Sequence, residues 1–244
     1  MAVNKPYYRI YRPGLRRDTF NNPTEGYERD AMFLPEAEKK SMLMATRLII
    51  DDFERLFEYV EPHKKNEKVF SHRIYELLLR TCTEVESCCK GILLANGHTA
   101  EDMNDYKKIE QASHLSDYSV QYSNWLPSQY ITRPFANWAT GGSLPWFKAY
   151  NDVKHNRSQK FQLASLKNLL DAICGLLCII HSQGGDIVQH VFQSNIYFSA
   201  VNVDKVTVRS FTIIPYQYPD NEKYDFVWSN IETDPNRFQR FQFV

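Results

Sequence analysis

Between about Phe161 and Ser182 the apolar residues Leu163, Leu166, Leu170, Ile173, Leu177 and Ile180 return every three or four positions, with almost nothing polar on that side. A helix with so broad an apolar face must be covered by other elements. The segment therefore reads as the central helix of a bundle, closed by Gly184-Gly185. Past Gly185 the period shortens from 3.6 toward 2. Asn195–Val201, Lys205–Arg209, Phe211–Ile214 and Tyr224–Trp228 read as strands, with Asp204 and Pro219-Asp220-Asn221 supplying turn chemistry. The expected class is mainly α: a helical bundle followed by a small antiparallel β region at the C-terminus, α+β overall. The chain divides into an extended basic and aromatic arm (1–35), the bundle (36–185) and a β-rich extension packed on it (186–244).

Other helices follow from local signals. One is expected to begin at Glu36 behind Pro35, with Glu36 and Glu38 suiting its positive end, and to stop at Pro62. Its core stripe would be Met44, Leu48, Phe53 and Leu56, with Ile49 and Phe57 beside them. A second runs from about Val69 to Asn96 and stops at Gly97, burying Leu78, Cys82, Val85, Cys89 and Ile92. A weaker third starts after Thr99, with Asp102 completing an approximate capping box, and fades near Leu115. Pro145 opens a short helix from Trp146 to about Asn156.

Two aromatic regions resist this reading. Residues 116–143 hold Tyr118, Tyr122, Trp125, Tyr130, Phe135 and Trp138, broken by Pro127, Pro134 and Gly141-Gly142. A patternless stretch so rich in rings either walls a pocket or plugs the bundle's end, and it offers one surface for a protein partner. The C-terminal β region offers another. In the arm, Tyr7, Tyr8 and Tyr11 are interleaved with Arg9, Arg12, Arg16 and Arg17. That mixture would suit a phosphate backbone with stacked bases. The favoured expectation is an arm lying across the bundle with its tyrosines half buried.

Composition narrows the function classes. Lys plus Arg and Asp plus Glu both number 29, so any nucleic-acid contact needs a local basic patch. No run approaches the roughly 18 apolar residues of a membrane span, and no apolar stretch follows the N-terminal arginines as a signal peptide requires. A cytoplasmic protein without a membrane partner is the expectation. The five cysteines, Cys82, Cys88, Cys89, Cys174 and Cys178, all fall in helical apolar patterns and lack the turn-spaced pairs of a zinc site. Buried thiols, no metal and no cofactor are expected.

Strong catalytic signatures are missing: no phosphate loop, no His-Glu-x2-His helix, no nucleophile elbow. Pro219-Asp220 and Glu222-Lys223 lack the spacing of a metal-dependent nuclease motif and read as a turn. What remains is Trp146-Phe147-Lys148-Ala149-Tyr150-Asn151-Asp152-Val153-Lys154-His155-Asn156-Arg157. On a helix, Trp146, Tyr150 and Val153 would face the core, while Lys148, Asn151, Asp152 and His155 collect opposite them. His155 can exchange a proton near neutral pH, and Lys148 and Arg157 can hold charge on phosphorus oxygens, with Asn151 orienting the substrate. Asp152, Lys154 and Asn156 would extend the binding face. The same residues also suit an ordinary solvated corner between two helices.

A Glu-bearing helix (Glu84, Glu86), a short segment ending in Asn151-x3-His155 and a long apolar helix together resemble the HEPN superfamily over roughly 36–183. The resemblance implies a small helical bundle, often a homodimer, of the kind found in bacterial toxin and phage-defence systems. Active members carry an arginine, then four to six intervening residues, then a histidine, used for metal-independent RNA cleavage. His155 fits that histidine and Asn151 the polar residue between, but the arginine's place falls on Lys148, and Arg157 follows the histidine. Lysine lacks the planar fork that grips phosphate through two bonds. Binding of RNA or a nucleotide phosphate therefore ranks ahead of catalysis. A ribonuclease using His155 and a non-enzymatic protein-interaction module are the alternatives.

Overall fold

The computed structural model describes residues 3–15, 34–185 and 205–244. The class is as expected, mainly α with a small four-stranded antiparallel sheet. Helix α1 spans Glu36–Arg55 and α2 His72–Ala95. Short α3 (Met103–Tyr106) and α4 (Glu110–Ser113) follow, then α5 (Pro145–His155), α6 (Arg157–Lys160), α7 (Leu166–Gly184) and the single turn α8 (Trp228–Ile231). Helix α7 is the central one. Ser165 Oγ accepts from the Asn168 N–H to cap it, and every residue from Leu169 to Gly184 is buried against α1, α2, α5 or the sheet. No described helix is long and apolar enough to cross a membrane.

Helix α2 matches its sequence signals closely. Ser71 caps its start, and the Leu78–Cys82–Val85–Cys89–Ile92 stripe is buried. At its end Gly97 takes φ +83°, the His98 N–H reaches Leu93 O at 3.0 Å and the Gly97 N–H reaches Leu94 O at 3.0 Å. Those two bonds satisfy carbonyls that a helix end leaves open.

Helix α1 corrects the expectation. Its buried face is Met42, Thr46, Ile49, Ile50 and Phe53, whereas Met44 and Leu48 stand 54% and 49% exposed. The core stripe passes through Thr46, whose hydroxyl satisfies itself on Met42 O at 2.8 Å. Hydropathy alone does not mark such a residue as buried. The third helix also differs. Asp102 is itself the cap, accepting from Asn104 N and Asp105 N, and the helix breaks into α3, a 3-10 turn and α4 before His114 ends it at φ 48°.

The sheet has order β2-β1-β4-β3 and draws on two distant segments: β1 (Ser119–Tyr122) and β2 (Tyr130–Thr132) from the aromatic stretch, β3 (Val206–Val208) and β4 (Phe211–Ile214) from the C-terminal part. Val120 pairs with both Thr132 and Ile213, and Val206 with Ile213. Val120, Tyr122, Val206, Val208, Phe211 and Ile213 are all buried, alternating with more open neighbours. Arg209 of the β3–β4 turn bonds Asp51 and Glu54 of α1. Asp171 of α7, only 6% exposed, accepts from Tyr130 Oη (2.7 Å), Thr132 Oγ1 (2.9 Å) and Lys167 Nζ (2.6 Å), tying β2 to the central helix. Two of the expected strands are thus realised, while Asn195–Val201 lies outside the described residues. Tyr224–Trp228 is not a strand: Tyr224 makes isolated bridges to Val3 and Gly14, and Trp228 opens α8.

Five of the six rings of the aromatic stretch are core. Tyr118, Tyr122, Trp125, Phe135 and Trp138 are each 4% exposed or less. The arm, described from Val3 to Leu15, lies across the bundle. Its Tyr11 N–H bonds Ser182 O at 2.8 Å, and the C-terminal segment runs beside it, Tyr7 bridging to Gln239. All five thiols are buried, and desolvation pushes their pKa values up, that of Cys88 to about 12.

Candidate functional site

Helix α5 is pinned by its apolar side. Pro145 occupies its first turn, where the missing N–H costs nothing. Trp146, Tyr150 and Val153 are 2% exposed or less, and Trp146 Nε1 donates to Pro134 O at 2.8 Å. Gly175 of α7 lets the indole approach closely, since an added Cβ there would lie 2.9 Å from Trp146 Cζ2. The opposite side is held rigidly toward solvent. There Lys148 and His155 are exposed and Asn151 and Asp152 half buried, the grouping that the helical spacing anticipates.

These residues form an exposed corner, and each contact found for them is with a near neighbour or with α2. Lys148 Nζ bonds Asp152 Oδ2 at 2.8 Å. That bond holds the Asp152 carboxyl below its ordinary pKa, helped at longer range by Lys160. Lys154 Nζ reaches back one turn to donate to Tyr150 Oη at 2.9 Å, which raises the lysine's pKa. Asn156 leaves helical geometry at φ −141°, ψ 59°, and its side-chain amide donates to Gln159 Oε1 at 3.0 Å. The break turns Arg157 toward α2, where its guanidinium lies 5.7 Å from the centre of the Tyr75 ring. His155 is exposed and has no hydrogen-bond partner among the described residues. Chemically, Lys148, Lys154, Arg157 and Lys160 are four exposed cations, with the Asp152 carboxylate beside Lys148 and that of Glu86 within electrostatic range of Lys154. In a chain of zero formal charge this is a local excess of positive charge.

Sequence reasoning passed over the neighbours of this corner. Phe161 follows Lys160 directly, and its ring meets Phe70, His72 and Tyr75 at centroid distances of 5.6, 4.8 and 5.8 Å. The signal was present as Lys160-Phe161 and as Lys68-Val69-Phe70-Ser71-His72-Arg73, basic residues interleaved with rings. Elsewhere, a cleft of about 610 Å³ between α1 and α2 is lined by Arg9, Glu38, Glu86, Lys90 and Gly91. Its arginine is engaged by Gln183 and Glu38, and Gly91 gives that guanidinium its room, so this cleft reads as a structural seam.

Compared with known proteins, the chain matches no family model, no curated protein and no solved structure.

Proposed function

We propose that the α5–α6 corner binds the phosphates of RNA or of a nucleotide, and that it does so without turnover. The observation that carries this reading is the exposed group of Lys148, Lys154, Arg157 and Lys160, borne by a helix whose other side is locked into the core and by the turn of helix that follows it. Rigid presentation of several cations suits an anion with more than one phosphate. Binding is favoured over cleavage because no described group fixes the tautomer or orientation of His155, and a general base needs a positioned partner. The HEPN-like resemblance implies paired bundles, which would set two such corners in one particle.

The test is incubation of the purified chain with labelled RNA in EDTA, following both retention and fragment length. The expected result is a shifted, intact RNA, lost when Lys148 and Arg157 are both replaced by Ala. Intact and unshifted RNA would remove the binding reading. Fragments that vanish in His155→Ala would establish the ribonuclease alternative in its place.

A further inference from the structure

The geometry points to a base-stacking subsite beside the phosphate corner, built from Phe70, His72 and Phe161 and suited to a single-stranded nucleic acid. This inference rests on the phosphate reading of the corner and adds the part of the ligand that lies beyond the phosphate. Phe161 is the centre of a ring cluster that stays at the surface. Phe70 is 47% exposed, His72 is exposed, and Tyr75 and Phe161 are half covered. The cluster is continuous with the corner, since the Arg157 guanidinium lies over Tyr75, which meets Phe161 edge to face.

A purely structural role accounts for less than it first promises. The start of α2 and the approach to α7 are already joined by backbone bonds, Leu166 N to Val69 O at 2.8 Å and Lys167 N to Glu67 O at 3.0 Å, with a bridge between Phe70 and Ser165. The joint does not need a half-exposed phenyl ring. Charge runs along both sides: Arg157 and Lys160 precede Phe161, and exposed Lys68 and Arg73 flank Phe70 and His72, Arg73 pairing with Glu76 at 3.2 Å. Cations that follow a backbone, with rings between them that accept a flat base, form the surface that single strands recognise. A duplex keeps its base faces stacked inside and could use only the cations.

Fluorescence anisotropy on the full chain, with labelled strands of equal length, tests this. The probes are a single-stranded oligoadenylate as RNA and as DNA, a strand of abasic sites with the same phosphates, and a blunt RNA duplex. Base-bearing single strands should bind about tenfold more tightly than the abasic strand and the duplex. Phe70→Ala and Phe161→Ala should each lose most of that advantage while leaving the abasic strand's affinity unchanged, and Phe161→Tyr should keep it. The exposed Phe70 serves as the control against misfolding of the Phe161 variant. Equal binding of base-bearing and abasic strands would overturn the subsite and leave the phosphate corner standing. Binding of base-bearing strands that ignores Arg157→Ala and Lys160→Ala would do the reverse, and no binding of any strand would end both.

Discussion

The arm and the α5–α6 corner are both mixtures of cations and rings, yet the protein uses them in opposite ways. In the arm Arg9 and Arg12 are 7% and 5% exposed. Arg9 is held by Glu38 Oε1 at 2.7 Å and Gln183 Oε1 at 3.0 Å, while Arg12 donates to Glu222 O and Ala112 O and lies over Tyr7, Tyr218 and Phe241. Burying a guanidinium is costly unless hydrogen bonds and rings engage it in this way. At the corner, Lys148, Lys154, Arg157 and Lys160 are all exposed, and what the first three touch is a neighbour one turn away or a half-exposed ring. Composition does not separate the two regions, but the partners available on the folded chain do. Cations that the fold engages internally fasten segments together, and cations that it leaves in water are available to a ligand.

The largest expected effect therefore lies in the arm. Arg12→Ala leaves two carbonyls without their donor and three rings without their cation, and should cost about 3 kcal/mol in denaturant unfolding. An unfolding midpoint equal to that of the unaltered protein would show the arm to be an ornament and break the contrast.

Acid should act on the same region, somewhat less strongly. His181, at the end of α7, is buried between Tyr11 and Tyr118, its Nδ1 3.2 Å from the Tyr118 hydroxyl, and burial lowers its pKa to about 3. The unfolded chain takes up this proton near pH 6.5 and the folded chain does not, so the unfolded state gains protons first. The stability contributed by neutral His181 is full above pH 6.5 and declines as pH falls toward 3. By pH 4.5 the loss should be about 2–3 kcal/mol, and His181→Gln should flatten that part of the stability–pH curve. A slope that is the same in both proteins would place the acid sensitivity elsewhere.

At the corner, Arg157→Ala should change stability by no more than about 0.5 kcal/mol, because a solvated cation over a half-exposed ring contributes little. A larger loss would make Arg157 a fastening residue like Arg12 and erase the distinction between the regions.

How far the sequence discloses this arrangement depends on how local the deciding interaction is. The stop at Gly97 and the two sides of α5 are legible because each is settled within one or two helical turns. The strands Ser119–Tyr122 and Tyr130–Thr132 are not, since runs this short gain their identity only by pairing, the first with Phe211–Ile214 far along the chain and the second with the first. Thr46 misleads because its hydroxyl is satisfied one turn back on Met42 O, so a polar residue goes inside. For the candidate site, Lys148, Asn151, Asp152 and His155 share a side by helical spacing alone. The rings of Phe70, His72 and Tyr75 reach Phe161 only through tertiary packing of α2 against the α6–α7 connection.

The central claim is that solvated cations at the corner meet phosphates, and the salt dependence of RNA binding reads this directly. Each phosphate neutralised on a single strand releases counterions and contributes roughly −0.7 to the slope of log affinity against log salt. With Lys148, Lys154, Arg157 and Lys160 engaged, the slope for a labelled single-stranded RNA should lie at about −2 to −3. It should become shallower by roughly 0.7 for each of Arg157→Ala and Lys160→Ala, in proteins of unchanged stability. Binding insensitive to salt, or a slope that neither substitution alters, would contradict the account.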